Sequence, residues 1–401
     1  MFDLESLLDP MPLDQFLREN WTTRGVVFRG QDPDRFRPLF SWDQLNHLLN
    51  FHRLRFGEEI RLAAIGRKLT EKPETPEEWI KHCQDGYTLI INQLQARLPA
   101  IAELASSIER AVGHRSQVNM YCSWPEQQGF DQHHDDHEVF ILQIEGTKRW
   151  VVSEETYKYP LDKYNNVSDD TGEPKGPPYI ETELHPGDVL YIPRGHWHYA
   201  VAGDEPSLHL TLGVTCRTGI YWLKWLADEL MDEAEWRRNL PPVVRGDTAE
   251  LAGHVRGLLG RLATLADDER LVKAYIANHL TSQDSRHREV GLPSQSGFHP
   301  LSVKGDTRLR RAKFNPVTID YDAESEQHQI LFGTRKITLD GAPAELIDNL
   351  FRHETFTLEE AVGWAPAFDP AEDVAPLLRL LVEEGVLLEE VSHREEVPHV
   401  G

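Results

Sequence analysis

The segment Phe130–Val152, FDQHHDDHEVFILQIEGTKRWVV, places three histidines and three aspartates within seven residues, directly ahead of an apolar run. Side chains two apart on an extended chain face the same way. His133 and Asp135 can therefore aim an imidazole and a carboxylate at one point, and so can His134 with Asp136, or Asp135 with His137. A further imidazole from elsewhere in the chain would complete a set of two histidines and one carboxylate. Such a set holds a divalent metal on one face and leaves the other open, as in non-haem Fe(II) oxygenases. The competing reading is a hydrated polar loop, and spacing alone does not choose among the three frames.

A donor for the remaining position stands in PGDVLYIPRGHWHYAV. Gly187 and Asp188 make a turn, an apolar strand follows, and Pro193 and Gly195 end it. His196 and His198 come next, where the mouth of a barrel would lie. Lys148 opens the strand after EVFILQIEG, and Arg149 should point the other way. Tyr121 and Ser123 share one strand face, as do His209 and Thr211 in LHLTLGV. His209 and Thr211 are candidates to line the pocket, with a core histidine whose hydrogen bonds are satisfied as the favoured reading of His209.

These residues need a frame of strands. From Gln117 to about Val214 the runs QVNMYCSW, EVFILQIEG, KRWVVS, DVLYIP and LHLTLGV are separated by Gly, Pro and Asp, the texture of a barrel or sandwich. Ahead of them, residues 1–116 mix short strands such as GVVFRG with helix. In LIINQLQARLPAIAELASSIERAV, Leu94, Leu98, Ile101, Leu104 and Ile108 recur at helical spacing. The polar, Pro- and Gly-rich stretch 157–179 reads as a long loop and a candidate lid. Beyond Arg217 the pattern turns helical: GIYWLKWLADELMDEAEWRRNL, then DTAELAGHVRGLLGRLATL with Asp247 and Glu250 at capping-box spacing, then DDERLVKAYIANHL. From about His299 come the strands QILFG and RKITLD, helices in PAELIDNLFRH, TLEEAVGW and EDVAPLLRLLVEEG, and the strand VLLEE, a winged-helix-like order.

The formal charge of −24 repels phosphate backbones and anionic lipids and favours a basic partner. Residues 351–401 carry twelve Asp/Glu against three Arg and no Lys, which argues against a DNA-binding face there. The three cysteines, Cys83, Cys122 and Cys216, are too few and scattered for a disulfide framework or a thiolate zinc site. The opening MFDLESLLDPMPLDQFLREN has neither a basic start nor the apolar run of a signal peptide, and no window reaches membrane-spanning length. The expectation is a cytoplasmic chain with no membrane partner.

HHDDHEVFILQIEGTKRW together with PGDVLYIPRGHWH resembles the JmjC oxygenases, which depend on 2-oxoglutarate. The likeness is closest to the cupin-type protein hydroxylases, which include the bacterial and human ribosomal oxygenases and the asparaginyl hydroxylase of hypoxia-inducible factor. It spans roughly residues 117–216, and the order of the tail extends it. The resemblance implies an α+β fold with a double-stranded β-helix (jelly-roll, JmjC/cupin) core. It divides the chain into a catalytic domain at 1–216, with an N-terminal elaboration at 1–116 and the barrel at 117–216. A helical dimerisation segment at 217–298 and a winged-helix-like domain at 299–401 follow. It also fixes the frame. The metal ligands become His133, Asp135 and His198, the last falling five residues after Pro193. A basic residue fifteen positions after the first histidine binds the far carboxylate of 2-oxoglutarate in the family, and here it is Lys148. Ser123 resembles a family position that helps to hold the co-substrate, and Tyr121, two residues earlier on the same strand face, is assigned beside it. Where the asparaginyl hydroxylase has an asparagine near the metal, this chain has Gly213.

The function implied is hydroxylation of a protein side chain with Fe(II), 2-oxoglutarate and O2. The substrate implied is an arginine or histidine of a basic ribosomal protein, and the state a homodimer. Three rivals remain in the sequence: the same chemistry on a small molecule or biosynthetic peptide, a non-catalytic cupin, and a transcriptional regulator with a degenerate barrel. N-methyl-lysine demethylation is a further activity of the wider family.

Overall fold

The computed structural model describes residues 2–161, 173–242, 248–265, 269–282, 289–298, 307–314, 317–322, 327–332 and 335–390. The chain forms two compact units, 1–217 and 218–401. No helix among the described residues is long and apolar enough to cross a membrane.

The first unit holds ten strands: β1 (Val26–Phe28), β2 (Ile60–Ala63), β3 (Thr88–Ile91), β4 (Arg115–Ser123), β5 (Glu138–Glu145), β6 (Lys148–Ser153), β7 (Ile180–Leu184), β8 (Val189–Ile192), β9 (Trp197–Ala202) and β10 (Ser207–Thr215). Seven form one antiparallel sheet in the order β1-β8-β5-β10-β4-β3-β2, and β7-β6-β9 form a second. Alternation along β5 explains the sandwich. Phe140, Leu142 and Ile144 pack outward into the larger core with the helix Pro99–Val112, whose Ile101, Leu104 and Ile108 line its buried stripe. Val139 and Ile141 point inward and meet Trp150, Val152 and Leu184 of the small sheet. A strand buried on both faces reads as a continuous apolar run, and EVFILQIE is one. β4 lies at the boundary between dry and wet. Val118, Met120 and Cys122 are buried in the helix-backed core, while Gln117, Asn119 and Tyr121 turn inward and are half-buried.

The helix ahead of β4 is shorter than the periodicity from Leu94 predicts. It starts at Pro99, Leu94 sits in a short 3-10 turn, and Leu89–Ile91 pairs with β4 as part of β3. Gln93 in the left-handed region (φ 57°) breaks the chain between them, and Pro99 takes the first helical turn, where its missing N–H costs nothing. β7 and β9 go beyond the predicted strands, so His198 is the second residue of a strand rather than part of the loop after one.

The second unit begins with helices at Gly219–Glu229, Ala234–Arg237, Ala249–Leu265 and Glu269–Ser282, around Trp225, Leu226 and Leu230. Asp247, the expected cap, lies outside the described residues. Two small antiparallel sheets follow. One pairs Val317–Asp322, Gln327–Phe332 and Arg335–Asp340 in chain order; the other sets Arg308–Arg311 between Thr355–Thr357 and Leu387–Glu389. Helices Ala344–Arg352, Leu358–Gly363 and Ala375–Glu383 bury Leu346, Leu350, Leu378 and Leu381 against them.

Candidate active site

The acidic and histidine-rich segment before β5 is stitched to β9 by its backbone. The His133 N–H donates to the His198 carbonyl (3.1 Å), the His198 N–H returns the bond to His133 (2.7 Å), and the Gly195 N–H reaches the Asp135 carbonyl (2.8 Å). This pairing brings one ligating atom each of His133, Asp135 and His198 within 4.8 Å of one another. The imidazole centroids of 133 and 198 are 4.5 Å apart, and His198 Nε2 lies 3.6 Å from Asp135 Oδ2. Both rings are held from behind: His133 Nδ1 meets the Asp131 carbonyl at 2.8 Å and His198 Nδ1 the His196 carbonyl at 3.1 Å. A carbonyl only accepts, so each Nδ1 carries the proton and each Nε2 keeps its lone pair. Burial, then the neighbouring His133, holds the His198 imidazole down to about 4. Burial works against ionisation of Asp135, but His137, His198, His133 and His134 outweigh it and lower its pKa. Two imidazoles that present Nε2 and an ionised carboxylate, oriented by outer hydrogen bonds, fit a divalent first-row metal.

The other residues of the segment go elsewhere. His134 stands edge-on to Trp197 (4.8 Å, 89°), and Asp136 bonds the neighbouring His137 (Oδ1···Nδ1 2.9 Å). His196 lies between Tyr179 Oη (2.8 Å) and Glu155 (3.1 Å), away from the cluster. The middle of the expected lid, residues 162–172, lies outside the described residues.

A cavity of about 340 Å³ runs from this cluster to Lys148. Lys148 is only 5% exposed, and its Nζ donates to Ser123 Oγ at 2.8 Å. Ser123 Oγ is in turn 3.1 Å from Thr88 Oγ1. Among the described residues no carboxylate pairs with Lys148. Burial pushes its ammonium down to about 8. Arg149 points outward, as strand alternation requires, and pairs with Glu181. The cavity thus has a buried cation at its closed end with room for an anion beside it.

Tyr121 lines the wall and stacks on His209 (5.1 Å between centroids, 6° between planes). Burial, then the charge of Asp135, raises the Tyr121 phenol. His209 departs from expectation. It lines the cavity rather than lying satisfied in the core, and its buried Nδ1 has no hydrogen-bond partner. The aliphatic neighbours Leu208 and Leu210 fill the core on the other side of the strand, leaving the inward face to polar residues. Thr211 lines the wall too. Sequence reading missed Thr88, Arg61, Gln117 and Asn119 as lining residues, and offered His137 only as an alternative metal donor beside Asp135. Two-residue alternation back from Ser123 would have found Asn119 and Gln117; no local signal marks Thr88 or Arg61, which arrive from distant strands.

A family model described as a JmjC domain matches residues 91–220. Ribosomal oxygenase 1 of Homo sapiens is 35% identical over 255 residues, 59% of this chain and 39% of the relative. The bifunctional lysine-specific demethylase and histidyl-hydroxylase NO66 of Drosophila persimilis is 31% identical over 216 residues, 52% of this chain and 31% of the relative. The chain spans less than half the length of these curated relatives. Among solved structures, Escherichia coli YcfD superposes with a TM-score of 0.62 at 21% identity, over 95% of this chain and 98% of that one. A structure of YcfD, a ribosomal oxygenase, in complex with cobalt and 2-oxoglutarate superposes with a TM-score of 0.60 at 19% identity, over 95% of this chain and 99% of that one. These structures share the fold, and the matched segment contains β4 to β10 with the whole His133–Asp135–His198 cluster and Lys148. Residues 91–220 of this chain are similar to a JmjC domain, set in a mixed α+β chain with a β-sandwich core.

Proposed function

We propose that this protein is an Fe(II)- and 2-oxoglutarate-dependent oxygenase that hydroxylates a side chain of a basic ribosomal protein, an arginine or a histidine. His133, Asp135 and His198 hold the metal, and Lys148 with Ser123 holds the far carboxylate of the co-substrate, beside Tyr121 in the cavity wall. Bound iron, 2-oxoglutarate and O2 supply an oxidative decarboxylation in which carbon dioxide leaves, one oxygen atom enters succinate and the other enters a C–H bond of the target. The protein's own work is positional. Asp131 and His196 fix the ring tautomers through their carbonyls, and Ser123 and Thr88 aim the hydroxyl that steadies the ammonium. The sandwich core excludes water from the closed end.

The observation that carries the reading is Lys148: a buried ammonium with no carboxylate partner among the described residues, at the end of the cavity that begins at the three metal-type donors. An uncompensated buried charge costs several kcal/mol, and a carboxylate delivered by a ligand removes that cost. A non-catalytic cupin would have no use for it. Iron-dependent conversion of 2-oxoglutarate to succinate by the purified protein tests the chemistry; its absence with iron supplied refutes it. Mass spectrometry of ribosomal proteins from cells with and without the protein, seeking the gain of one oxygen atom, tests the substrate. The printed names of the relatives, ribosomal oxygenase and histidyl-hydroxylase, favour this substrate.

The same reading assigns catalysis to residues 1–216, dimerisation to 217–298 and a winged-helix-like domain to 299–401. Ile220, Leu223, Met231, Leu259, Val272 and Ile276 are exposed along the helices, and an apolar groove of about 380 Å³ lies among Leu223, Leu226, Leu230 and Trp236. A second copy of the chain covers these faces, so light scattering gives the mass of a dimer; a monomer mass refutes it. The acidic tail serves protein contacts rather than DNA, in a cytoplasmic enzyme.

A further inference from the structure

β10 contains one residue that a central strand does not favour. Gly213 has β4 on one side and β5 on the other, opposite Gln117 and Val139. Glycine there costs roughly 1 kcal/mol in backbone entropy and offers no side chain to pack. Its use is a close approach. A Cβ at 213 would lie 2.6 Å from His137 Cδ2 and 2.9 Å from His137 Nε2, so any other residue would displace that ring.

His137 is steered onto the glycine by its neighbour. The Asp136 carboxylate accepts from His137 Nδ1 at 2.9 Å, and a carboxylate only accepts, so Nδ1 carries a proton. Nε2 makes no hydrogen bond among the described residues, and His137 lines the same cavity as Asp135. The cross-strand pairs give it a place along that cavity. Tyr121 is opposite His209, Asn119 opposite Thr211, and Gln117 opposite Gly213. Lys148 and Ser123 lie at the buried end of this ladder, and the half-buried Tyr121, Asn119, Thr211 and Gln117 lead away from them. His137 therefore stands at the end opposite the proposed co-substrate anchor, beside a proposed metal ligand, with a free polar atom.

We propose that His137, seated on Gly213 and oriented by Asp136, reads the target. Its Nε2 hydrogen-bonds the polar end of the incoming side chain, so that the site selects a hydrogen-bonding target residue over an aliphatic one. The proposal rests on the oxygenase reading above and adds to it the residue that sets selectivity. Gly213 is the positioning residue for His137, and Asp136 fixes the ring.

The test uses the full chain with Fe(II), 2-oxoglutarate and synthetic basic peptides of one sequence whose central residue is His, Arg, Asn or Leu. The quantity read is the ratio of hydroxylation at the preferred polar centre to that at leucine, which does not depend on absolute rate. His137→Leu lowers this ratio roughly ten-fold, the scale of one hydrogen bond in a water-poor site. Gly213→Ala, which pushes the ring aside, lowers it similarly, and His137→Gln restores most of it. Cobalt(II) binding, followed by its visible absorption, persists in all three variants. An unchanged ratio in His137→Leu overturns the proposal. So does loss of cobalt binding in that variant with both peptides falling together, because His137 then serves the metal site. Wild-type protein that converts 2-oxoglutarate to succinate but hydroxylates no peptide also overturns it. Wild-type protein that makes no succinate overturns the oxygenase reading instead.

Discussion

The two ends of the cavity handle charge in opposite ways. At the metal-type end, Asp135 is surrounded by imidazoles, and the cluster is balanced within itself by short polar contacts and ring hydrogen bonds. At the closed end, the hydroxyl of Ser123 is the one polar partner of Lys148 among the described residues. One end is preorganised to coordinate; the other is held in a costly state that a ligand relieves. The difference separates two design problems. A metal site needs converging lone pairs, whereas an anion site needs a cation that the fold declines to neutralise.

Substitutions sharpen this contrast, and the largest effect belongs to the coordinating end. Asp135→Ala removes the carboxylate between the two histidines, and iron-dependent succinate formation falls below detection in a turnover assay. Lys148→Met acts at the other end, with opposite consequences for binding and folding. The KM for 2-oxoglutarate rises roughly a thousand-fold, the scale of breaking a buried charge pair. The ligand-free protein becomes more stable to urea, by on the order of 3 kcal/mol, because the buried ammonium has gone. The pH dependence follows from the same group. The Lys148 pKa is lowered from 10.5 to about 8 in the folded protein, so its cost is fully present below pH 8 and fades as pH rises toward 10.5. The stability gap between Lys148→Met and wild type therefore closes across that window in urea titrations at stepped pH, and a constant gap would deny the shift. Thr88→Val replaces only the hydroxyl that steadies Ser123 with a methyl, and the KM for 2-oxoglutarate rises about five-fold, the scale of one neutral hydrogen bond. Arg149→Ala, one residue from Lys148 but exposed, leaves both KM and stability unchanged in the same assays.

The legible part of the molecule was the part that repeats locally. Two-residue alternation in QVNMYCSW and the apolar runs EVFILQIE and DVLYIP gave strands where β4, β5 and β8 lie, and the inward and outward faces of Lys148 and Arg149 followed from the same period. The ligand frame was not legible from spacing. Three frames satisfied it, and what distinguishes His133 and Asp135 in the fold is pairing with β9, some sixty-five residues away in the chain. Thr88 was hidden for the same reason, since it meets Ser123 only because β3 lies beside β4. His209 was misplaced because a histidine among leucines reads as core, while the strand gives the leucines one face and the cavity the other. The helix before β4 was overextended because leucines at helical spacing continued through a break that Gln93 and Pro99 impose.

The paired backbone bonds between His133 and His198 reach beyond chemistry into assembly. Each residue's amide proton is held by the other's carbonyl, a main-chain pairing that needs no side chain. In hydrogen–deuterium exchange the two amides should therefore be protected together in chelated protein, at rates close to those of the loaded form. The two donors are thus tied to each other through the main chain, so a substitution that weakens either amide bond loosens both side chains at once.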